Sequence, residues 1–452
     1  MASTKLTRTP ASNGNSKTWT WSAWVKLSEA NTEFVLFHNF GATTSDEVYA
    51  KIGGSDGTIE FALRYGGTYE GRLITNRKFK DVSGWYNFVF VCDTPNATAG
   101  DRQRIYVNGV EETSFSTDTQ IAQDAGTVYN QTYEHTIGSY GSGNYFNGSM
   151  THINAIDGTA YDASYFGSTD TTTGEWEINT SPSVTYGTNG YFILKNGNSV
   201  TDESGNANNF TLGGGTLTKT EDCPDNVFST NNPLDNYYYE STFSNGNTTI
   251  VSNASTGKYS YGTTTFGIPD NKKIYCEVKM VAVSSGSIQS RVGLISYPTT
   301  SATVGVGSTT YTYGYSTDSG NIVTGNAGSS YGNAFALGDI MGIAVDTVNN
   351  KLYFSKNGTW QNSGDPTSGA TGTGAVSIAD LGTNDSTNSG NYFLGFSDEA
   401  NNAGATLSWN FGNGYFGTTV ISSAGTSAST PGIFEYDVPT GYEPLSTKGL
   451  NA

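Results

Sequence analysis

GDIMGIAVDTVNNKLYFSKNGTW (residues 338–360) has the pattern of two β-strands folded back on each other. Apolar residues occupy alternate positions on both sides of a polar centre, namely Met341, Ile343, Val345, Leu352 and Phe354. A period of two is typical of a sheet with one buried face. Asn349-Asn350 lies between the strands, and Asn tolerates the positive φ of a tight turn. Asn357-Gly358 predicts a second turn, so the stretch is a β-hairpin without a nucleophile, base or metal cluster.

The composition of the whole chain favours the same structural class. The 452 residues include 57 Gly, 29 Tyr and 22 Phe, whereas charged residues make up only 14%. Strands favour aromatic residues and turns favour Gly and Asn, so this composition is typical of many short strands joined by small-residue turns. No window carries an apolar stripe at helical spacing. We therefore predict an all-β protein, and the length predicts two domains.

The charge balance argues against several classes of partner. Lys and Arg total 22 against 40 Asp and Glu, which gives a net charge of −18. Proteins that bind nucleic acid need clustered basic residues, so we expect no nucleic-acid partner, and anionic membranes are disfavoured for the same reason. The first residues, MASTKLTRTP, lack the apolar core of a signal peptide, and no run approaches the ~18 apolar residues of a membrane span. We expect folding in a cytoplasm without membrane insertion.

The cysteines predict neither a disulfide framework nor a zinc site. There are three, Cys92, Cys223 and Cys276, and no two of them are closely spaced. An odd count without close spacing is atypical of both kinds of site. Cys92 and Cys276 lie in apolar strand-like runs, where a buried free thiol is the ordinary interpretation.

Strand patterns recur at a pace that indicates two β-sandwiches in tandem. The first half opens with TWTWSAWVKL (residues 18–27), in which Trp19, Trp21, Ala23, Val25 and Leu27 share one face. One sheet alone could not bury so many aromatic residues, so a two-sheet sandwich is predicted. The pattern loosens where glycines and prolines accumulate, which marks a boundary. We predict a first sandwich over 1–215, a linker over 216–240, a second sandwich over 241–425 and an extended arm over 426–452 that packs on a neighbouring subunit or stays mobile.

The first half resembles concanavalin A-like lectin domains of the laminin-G and pentraxin kind. This resemblance rests on WTWSAWVKL, GWYNFVFV, RIYVNG and IGSYGSGNYFNGSMTHINAIDG. A narrower resemblance links the chain to a family of bacteriophage virion proteins, many from marine phages. It rests on LTRTPASNGNSKTWTWSAWVK, TAYDASYFG, YGTNGYFILK, DESGNANNFTL, FSTNNPL and the closing VPTGYEPLSTKGL.

The second half resembles a SPRY domain, another sandwich of the same broad fold. The matching runs are RVGLISY, GDIMGIAVDTVNNKLYFSKNG and LSWNFGNGYF. Together the resemblances imply two tandem concanavalin A-like and SPRY-like jelly-roll β-sandwiches. They also imply a non-enzymatic virion component on a tail fibre, head fibre or capsid surface, made in the host cytoplasm and released by lysis. Its expected partners are other virion proteins, further copies of the chain and a host-surface glycan.

The carboxylates and histidines of the sequence are its catalytic candidates. Glu175 and Glu177 point the same way if they lie on a strand, and retaining glycosidases need two carboxyls ~5–5.5 Å apart. Their segment is loop-rich, so two solvated carboxylates are the simpler interpretation, and Glu435 with Asp437 meets the same objection. His38, His135 and His152 are scattered singly, without a nucleophile in a recognisable elbow. A polysaccharide depolymerase therefore remains an alternative, beside a cementing capsid protein without any ligand.

Loop residues offer candidates for two kinds of binding site, a calcium site and a glycan site. Calcium binds hard oxygen ligands, and laminin-G relatives often carry calcium at loop rims. The candidate residues are Ser45, Asp46, Glu47, Asp93 and Asp101, but no dense acidic run exists, so no cofactor is predicted and calcium is left open. Glycans are held by aromatic faces with polar groups at concave sites on loops. The predicted carbohydrate-binding residues are Tyr65, Tyr69, Tyr140, Tyr313, Tyr331 and Trp360. Tyr311, Tyr313 and Tyr315 alternate and would line a groove, although sheet packing is the commoner role of such tyrosines.

Overall fold

The computed structural model describes residues 3–253, 259–284, 289–296, 301, 303–382, 388–399, 404–426 and 428–452. Strands take 43% of the residues and helices 4%, which confirms the all-β prediction. The chain divides into two compact units, residues 1–219 and 220–452. Within the predicted linker, Phe228 belongs to the core of the second unit, and the N–H of Ser229 donates to the carbonyl of Leu445 at 2.9 Å.

The first unit is built almost wholly of strands. In chain order they are β1 (Lys5–Arg8), β2 (Thr18–Leu27), β3 (Phe34–Phe40), β4 (Glu47–Ile52), β5 (Thr58–Tyr65), β6 (Thr68–Lys78), β7 (Trp85–Asp93), β8 (Gln103–Val107), β9 (Val110–Glu111), β10 (Phe115–Thr119), β11 (His135–Ile137), β12 (Gly148–Asp157), β13 (Gly167–Thr169), β14 (Trp176–Ile178), β15 (Tyr191–Ile193) and β16 (Thr211–Gly214). Short 3-10 turns lie at Ala99–Asp101 and Ala163–Tyr165.

Two sheets pack face to face in this unit. One has the order β10–β6–β5–β4–β3–β11–β1–β16, and the other has β15–β12–β2–β7–β8–β9, while β13 pairs with β14. The predicted apolar face of β2 is confirmed, since its alternate residues from Trp19 to Leu27 lie in the core. The ring of Trp21 on β2 lies 4.8 Å from that of Phe37 on β3. Because those strands belong to different sheets, this contact closes the sandwich.

The second unit continues the strand numbering. Its strands are β17 (Tyr237–Tyr238), β18 (Thr242–Ser244), β19 (Thr249–Val251), β20 (Tyr259–Ile268), β21 (Lys273–Val283), β22 (Ser290–Ile295), β23 (Thr312–Ser316), β24 (Asn321–Thr324), β25 (Ala327–Ser330), β26 (Ile340–Asp346), β27 (Lys351–Lys356), β28 (Thr359–Trp360), β29 (Val376–Ser377), β30 (Tyr392–Glu399), β31 (Ala405–Asn410), β32 (Tyr415–Phe416), β33 (Thr419–Val420) and β34 (Glu443–Pro444). It also contains 3-10 turns at Gln361–Ser363 and Gly369–Thr371 and the helix α1 (Thr447–Asn451).

This unit is also a sandwich of two sheets. One has the order β17–β20–β30–β22–β23–β24–β25. The other has β18–β19–β31–β21–β26–β27–β28, with β29 beside β27 and β34 beside β21, while β32 pairs with β33. The ring of Tyr315 on β23 lies 5.1 Å from that of Phe354 on β27, so these residues join the sheets through the core.

The predicted hairpin at 338–360 is formed by β26, β27 and β28. Ile343 pairs with Phe354 and Val345 with Leu352, and Asn350 in the turn has a φ of 57°. The second turn has positive φ at Asn357 and Gly358, as an Asn-Gly turn requires. One expectation differs, because every residue of β26 is buried rather than one face only.

The outer face of β26 is buried because the C-terminal segment, residues 428–452, lies across it. Three apolar residues of this segment pack on three residues of the sheet. The segment contributes Phe434, Val438 and Tyr442, and the sheet contributes Tyr275, Ala344 and Tyr353. The segment then pairs β34 in parallel with β21 and places Leu445 in the core. The arm over 426–452 was predicted to lie on a neighbouring subunit or to stay mobile. In the structure it packs on its own unit, because its apolar residues find a complementary face there.

Candidate binding site

A pocket of about 430 Å³ opens at one end of the first sandwich. It lies where β4 begins, β5 ends and β6 begins, beside the chain that follows β10. Its lining residues are Val48, Leu63, Arg64, Tyr65, Glu70, Ile121, Ala125, Gly126 and Thr127. The floor is apolar, and the polar groups are few. That combination is typical of a small-ligand site.

A tight turn presents Tyr65 at this pocket. Gly66 and Gly67 join β5 to β6 with φ values of 57° and 81°, which glycine adopts without a steric penalty. The N–H of Gly66 donates to the Asp46 carboxylate at 2.7 Å, and the N–H of Gly67 donates to the carbonyl of Ser45 at 2.9 Å. The turn is therefore fixed, while the Tyr65 side chain is 67% exposed.

The guanidinium of Arg64 is already bound by the protein. Its Nη1 donates to the carboxylate of Glu47, and its Nη2 donates to the carbonyl of Gly67 at 3.2 Å. Its Cζ also lies 5.0 Å from the centre of the Tyr69 ring. Arg64 thus lines the pocket as a neutralised group rather than as a free cation.

Glu47 is the buried anion that holds this end of the sheet. Its Oε2 accepts a hydrogen bond from the Tyr140 hydroxyl at 2.5 Å and lies 3.3 Å from Nε2 of His38. Burial alone would raise the pKa of Glu47, but hydrogen bonds from His38, Tyr140 and Arg64 outweigh it, and the net effect lowers that pKa. The group is structural, because each of its neighbours favours the ionised form.

Three of the predicted aromatic residues lie in this region of the first unit. Tyr65 lines the pocket, whereas Tyr69 and Tyr140 lie on the outer face of the same sheet. The Tyr69 ring lies 4.2 Å from the guanidinium of Arg72, and the Tyr140 ring lies 4.3 Å from that of His38. Both rings therefore pack on protein neighbours, and among the three Tyr65 has the free face.

The predicted aromatic residues of the second unit pack among other side chains. Tyr313 lies in the core with Tyr315, and its hydroxyl accepts a hydrogen bond from the N–H of Ala379 at 2.9 Å. The predicted tyrosine groove therefore faces inward. Tyr331 is half-buried, with its ring 6.1 Å from that of Tyr315. Trp360 is half-buried too, and packs on Tyr275 and Tyr353.

Sequence reasoning missed Glu70, Ile121 and residues 125–127. The available signal for the pocket was Tyr65 beside a Gly-Gly pair, which predicts an exposed turn. Glu70 enters the lining through a bulge, since the pairing shifts between Leu63 opposite Gly71 and Arg64 opposite Tyr69. The lining residues Ile121 and 125–127 lie far along the chain from Tyr65, and no local sequence pattern predicts that they contact this pocket.

Three of the calcium candidates, Asp46, Glu47 and Asp93, accept hydrogen bonds from protein donors. The Asp46 carboxylate accepts from Gly66 and Thr43, and Glu47 is enclosed as described above. The Asp93 carboxylate accepts from the amide of Asn96 at 3.4 Å. Asp101 lies in the 3-10 turn Ala99–Asp101. Within the part of the chain that the structure describes, no three His, Cys, Asp or Glu residues come together to hold a metal ion.

The catalytic candidates do not assemble into a site. Glu175 and Glu177 flank Trp176 at the short strand β14 and are both exposed, outside the pocket lining. Burial lowers the pKa of His135 to about 3 and that of His152 to about 4, so both are neutral at pH 7. The three cysteines are free thiols, and Cys92 and Cys276 are buried as predicted. No helix among the described residues is long and apolar enough to cross a membrane.

Comparison with known families matches a part of each half of the chain. Residues 2–162 match the laminin-G model of the concanavalin A-like lectin/glucanases superfamily, and residues 273–379 match the SPRY domain model. The chain contains a concanavalin A-like domain followed by a SPRY domain. This confirms the predicted folds, two jelly-roll β-sandwiches in tandem. Domains of both kinds are typically binding or scaffold domains.

Three solved structures illustrate the likeness. The SPRY domain of human HERC1 is 16% identical with a TM-score of 0.30, over 40% of this chain and 96% of that one. The native heptameric SAP-like pentraxin from Limulus polyphemus is 13% identical with a TM-score of 0.30, over 48% of this chain and 91% of that one. Domain 4 of AbnA is part of a GH43 extracellular arabinanase from Geobacillus stearothermophilus and was solved with arabinotriose. It is 16% identical with a TM-score of 0.25, over 32% of this chain and 64% of that one. No curated protein sequence matches this chain.

Proposed function

We propose that the protein is a non-enzymatic structural component of a bacteriophage particle that binds host-surface glycans through its concanavalin A-like domain. The virion assignment rests on the phage-type motifs of the sequence, from LTRTPASNGNSKTWTWSAWVK to VPTGYEPLSTKGL. On this proposal the chain is displayed on a fibre or the capsid surface as a homo-oligomer beside other virion proteins. Its net charge of −18 fits a surface that stays clear of nucleic acid.

The observation that carries glycan binding is the pocket with the exposed ring of Tyr65. A sugar presents C–H faces that pack on an aromatic ring and hydroxyls that bond to charged groups. Tyr65 supplies the ring, Glu70 supplies a carboxylate acceptor, and Ile121 belongs to the apolar floor. The N–H groups of Gly66 and Gly67 hold the turn after Tyr65 by donating to the Asp46 carboxylate and the Ser45 carbonyl, so little ordering is needed on binding.

The non-enzymatic part of the proposal is supported by the distribution of carboxylates. Glycosidases of the common kinds flank the scissile bond with two carboxyl groups. Of the described residues that line the pocket, Glu70 alone carries one. Glu175 and Glu177 are exposed on a short strand pair outside it.

Glycan binding is tested with the purified full chain against host surface polysaccharide. Tyr65→Ala should weaken binding at least about tenfold, because it removes the stacking ring. Tyr165→Ala is the matched control, since Tyr165 is a 39% exposed tyrosine of the same unit outside the pocket. Equal losses in both variants, or no binding by the parent protein, would overturn the glycan proposal.

Two further measurements separate the alternatives. Release of reducing ends from the polysaccharide, lost in Glu175→Gln, would make the protein a depolymerase. Immunogold electron microscopy of purified particles locates the chain. If it covers capsomer junctions with the Tyr65 end buried, the protein is a cementing component without a ligand. If the particles do not contain it, the virion proposal fails.

A further inference from the structure

Two charged residues, Arg64 and Glu70, line the pocket at the end of the first sandwich, and they are not equivalent. Arg64 is bound to Glu47 and Gly67, and it also packs beside the Tyr69 ring. Its positive charge is therefore already compensated inside the protein. An anionic ligand would have to compete with a buried carboxylate for it, at a large desolvation cost.

Glu70 is in the opposite situation. It is the extra residue of the bulge at the start of β6, and its side chain is exposed at the pocket. Among the described residues, none donates a hydrogen bond to the Glu70 carboxylate or forms an ion pair with it. The uncompensated charge of the pocket lining is therefore negative.

An aromatic face and a free carboxylate in one pocket are the groups that recognise an ammonium ion. The ring of Tyr65 offers a cation–π contact, and Glu70 offers an ion pair. We propose, resting on the glycan-binding function above, that the pocket takes a sugar unit with a free amino group rather than an acidic or fully neutral sugar. A neutral sugar would cover the Glu70 carboxylate without compensating its charge, and an acidic sugar would be repelled.

The inference is tested by titration calorimetry of the full chain at pH 6 with ligands matched in length. These are glucosamine oligomers, the same oligomers fully N-acetylated, galacturonate oligomers and a lysine peptide. The free-amine oligomer should bind roughly tenfold tighter than its acetylated form, and the galacturonate oligomer should bind weakest. The lysine peptide carries the ammonium without the sugar ring and should also bind more weakly.

Two variants test whether Glu70 causes the preference for the free-amine oligomer. Glu70→Gln should bring the amine and acetylated oligomers to within about twofold of each other, while Glu177→Gln, an exposed carboxylate outside the pocket, should keep the preference. Equal affinity for all sugars that is still reduced by Tyr65→Ala would overturn the amino-sugar inference and leave glycan binding intact. Equal binding of the lysine peptide, or a preference that survives Glu70→Gln, would also overturn it. Binding of no sugar at all would overturn the proposed function itself.

Discussion

The Glu277 carboxylate accepts a hydrogen bond from the backbone N–H of Tyr436 at 2.9 Å, across 159 residues of chain. Glu277 lies on the outer face of β21, directly under the C-terminal segment, and is fully buried. It also accepts from the N–H of Glu435, the amide of Asn410 and the hydroxyl of Tyr275. One buried carboxylate thus fixes the C-terminal segment onto the sheet.

The stability of the second unit should depend on the ionisation of Glu277. Burial raises the pKa of Glu277 from 4.5 to about 7, against the opposing effect of its hydrogen bonds. The folded state then holds a proton that the unfolded state has released, so stability falls as pH rises from about 4.5 through about 7. We expect the free energy of unfolding in urea to drop by up to about 3 kcal/mol across this range.

The variant Glu277→Gln tests whether Glu277 causes this dependence of the unfolding free energy on pH. It removes the titrating group, so the contribution to the pH dependence should vanish even if the variant is less stable overall. Glu177→Gln, an exposed carboxylate, should leave the slope unchanged. A slope that is equal in the parent and in Glu277→Gln would contradict the assignment.

The first unit should respond to acid in the opposite sense. The folded state lowers the pKa of Glu47. The ionised carboxylate therefore contributes its full stabilisation above the unfolded pKa, and this stabilisation is lost as pH falls from there through the lowered folded pKa. Glu47→Gln should cost about 1–3 kcal/mol at pH 7, because the hydroxyl of Tyr140 and the guanidinium of Arg64 lose a charged acceptor. Urea unfolding at pH 7 and pH 4 measures this, with the exposed Glu134→Gln as control. If Glu47→Gln lowers the free energy of unfolding as much at pH 4 as at pH 7, the ionised carboxylate is not the source of that stability.

The turn after β27 should be sensitive to a single methyl group. Gly358 has a φ of 79°, and a Cβ there would lie 2.7 Å from a ring carbon of Tyr436. Gly338 has a φ of 90° with nothing within 4 Å, so Gly338→Ala carries the backbone penalty alone. Gly358→Ala should therefore cost about 1–3 kcal/mol more than Gly338→Ala in thermal or urea unfolding. Equal costs would mean that Tyr436 does not rest on this turn.

Glycan binding should not require calcium. The carboxylates of Asp46 and Glu47, which the sequence offered as ligands near the pocket, already accept hydrogen bonds from protein donors. Titration of the polysaccharide in excess EDTA should give the same affinity as in added calcium chloride. An affinity that falls in EDTA and returns with calcium, but not with magnesium, would place a calcium ion in the binding site.

Local patterns predicted the strands well and their environment poorly. The alternation in β2 and β26 reports which residues face the core, because a strand has a fixed period of two. It does not report that Gly342 and Ala344 are covered, since that depends on residues 428–452, far along the chain. The pocket shows the same limit. Tyr65 beside two glycines predicts an exposed ring, but the lining residue Ile121 is placed by tertiary packing alone.

The hydrogen bonds to Glu277 also set an order of events during synthesis. In the first sandwich Lys5 on β1 pairs with Gly214 on β16, so this unit can close once residue 214 has been made. The second must wait for residues 435 and 436, roughly 220 residues later, or about 10–45 s at 5–20 residues per second. From the synthesis of residue 353 onward the nascent chain carries a finished first domain and a sheet whose Tyr275 and Tyr353 lack their cover. Chaperones and proteases of the cell therefore meet the second domain with this apolar face uncovered until its last residues have been made.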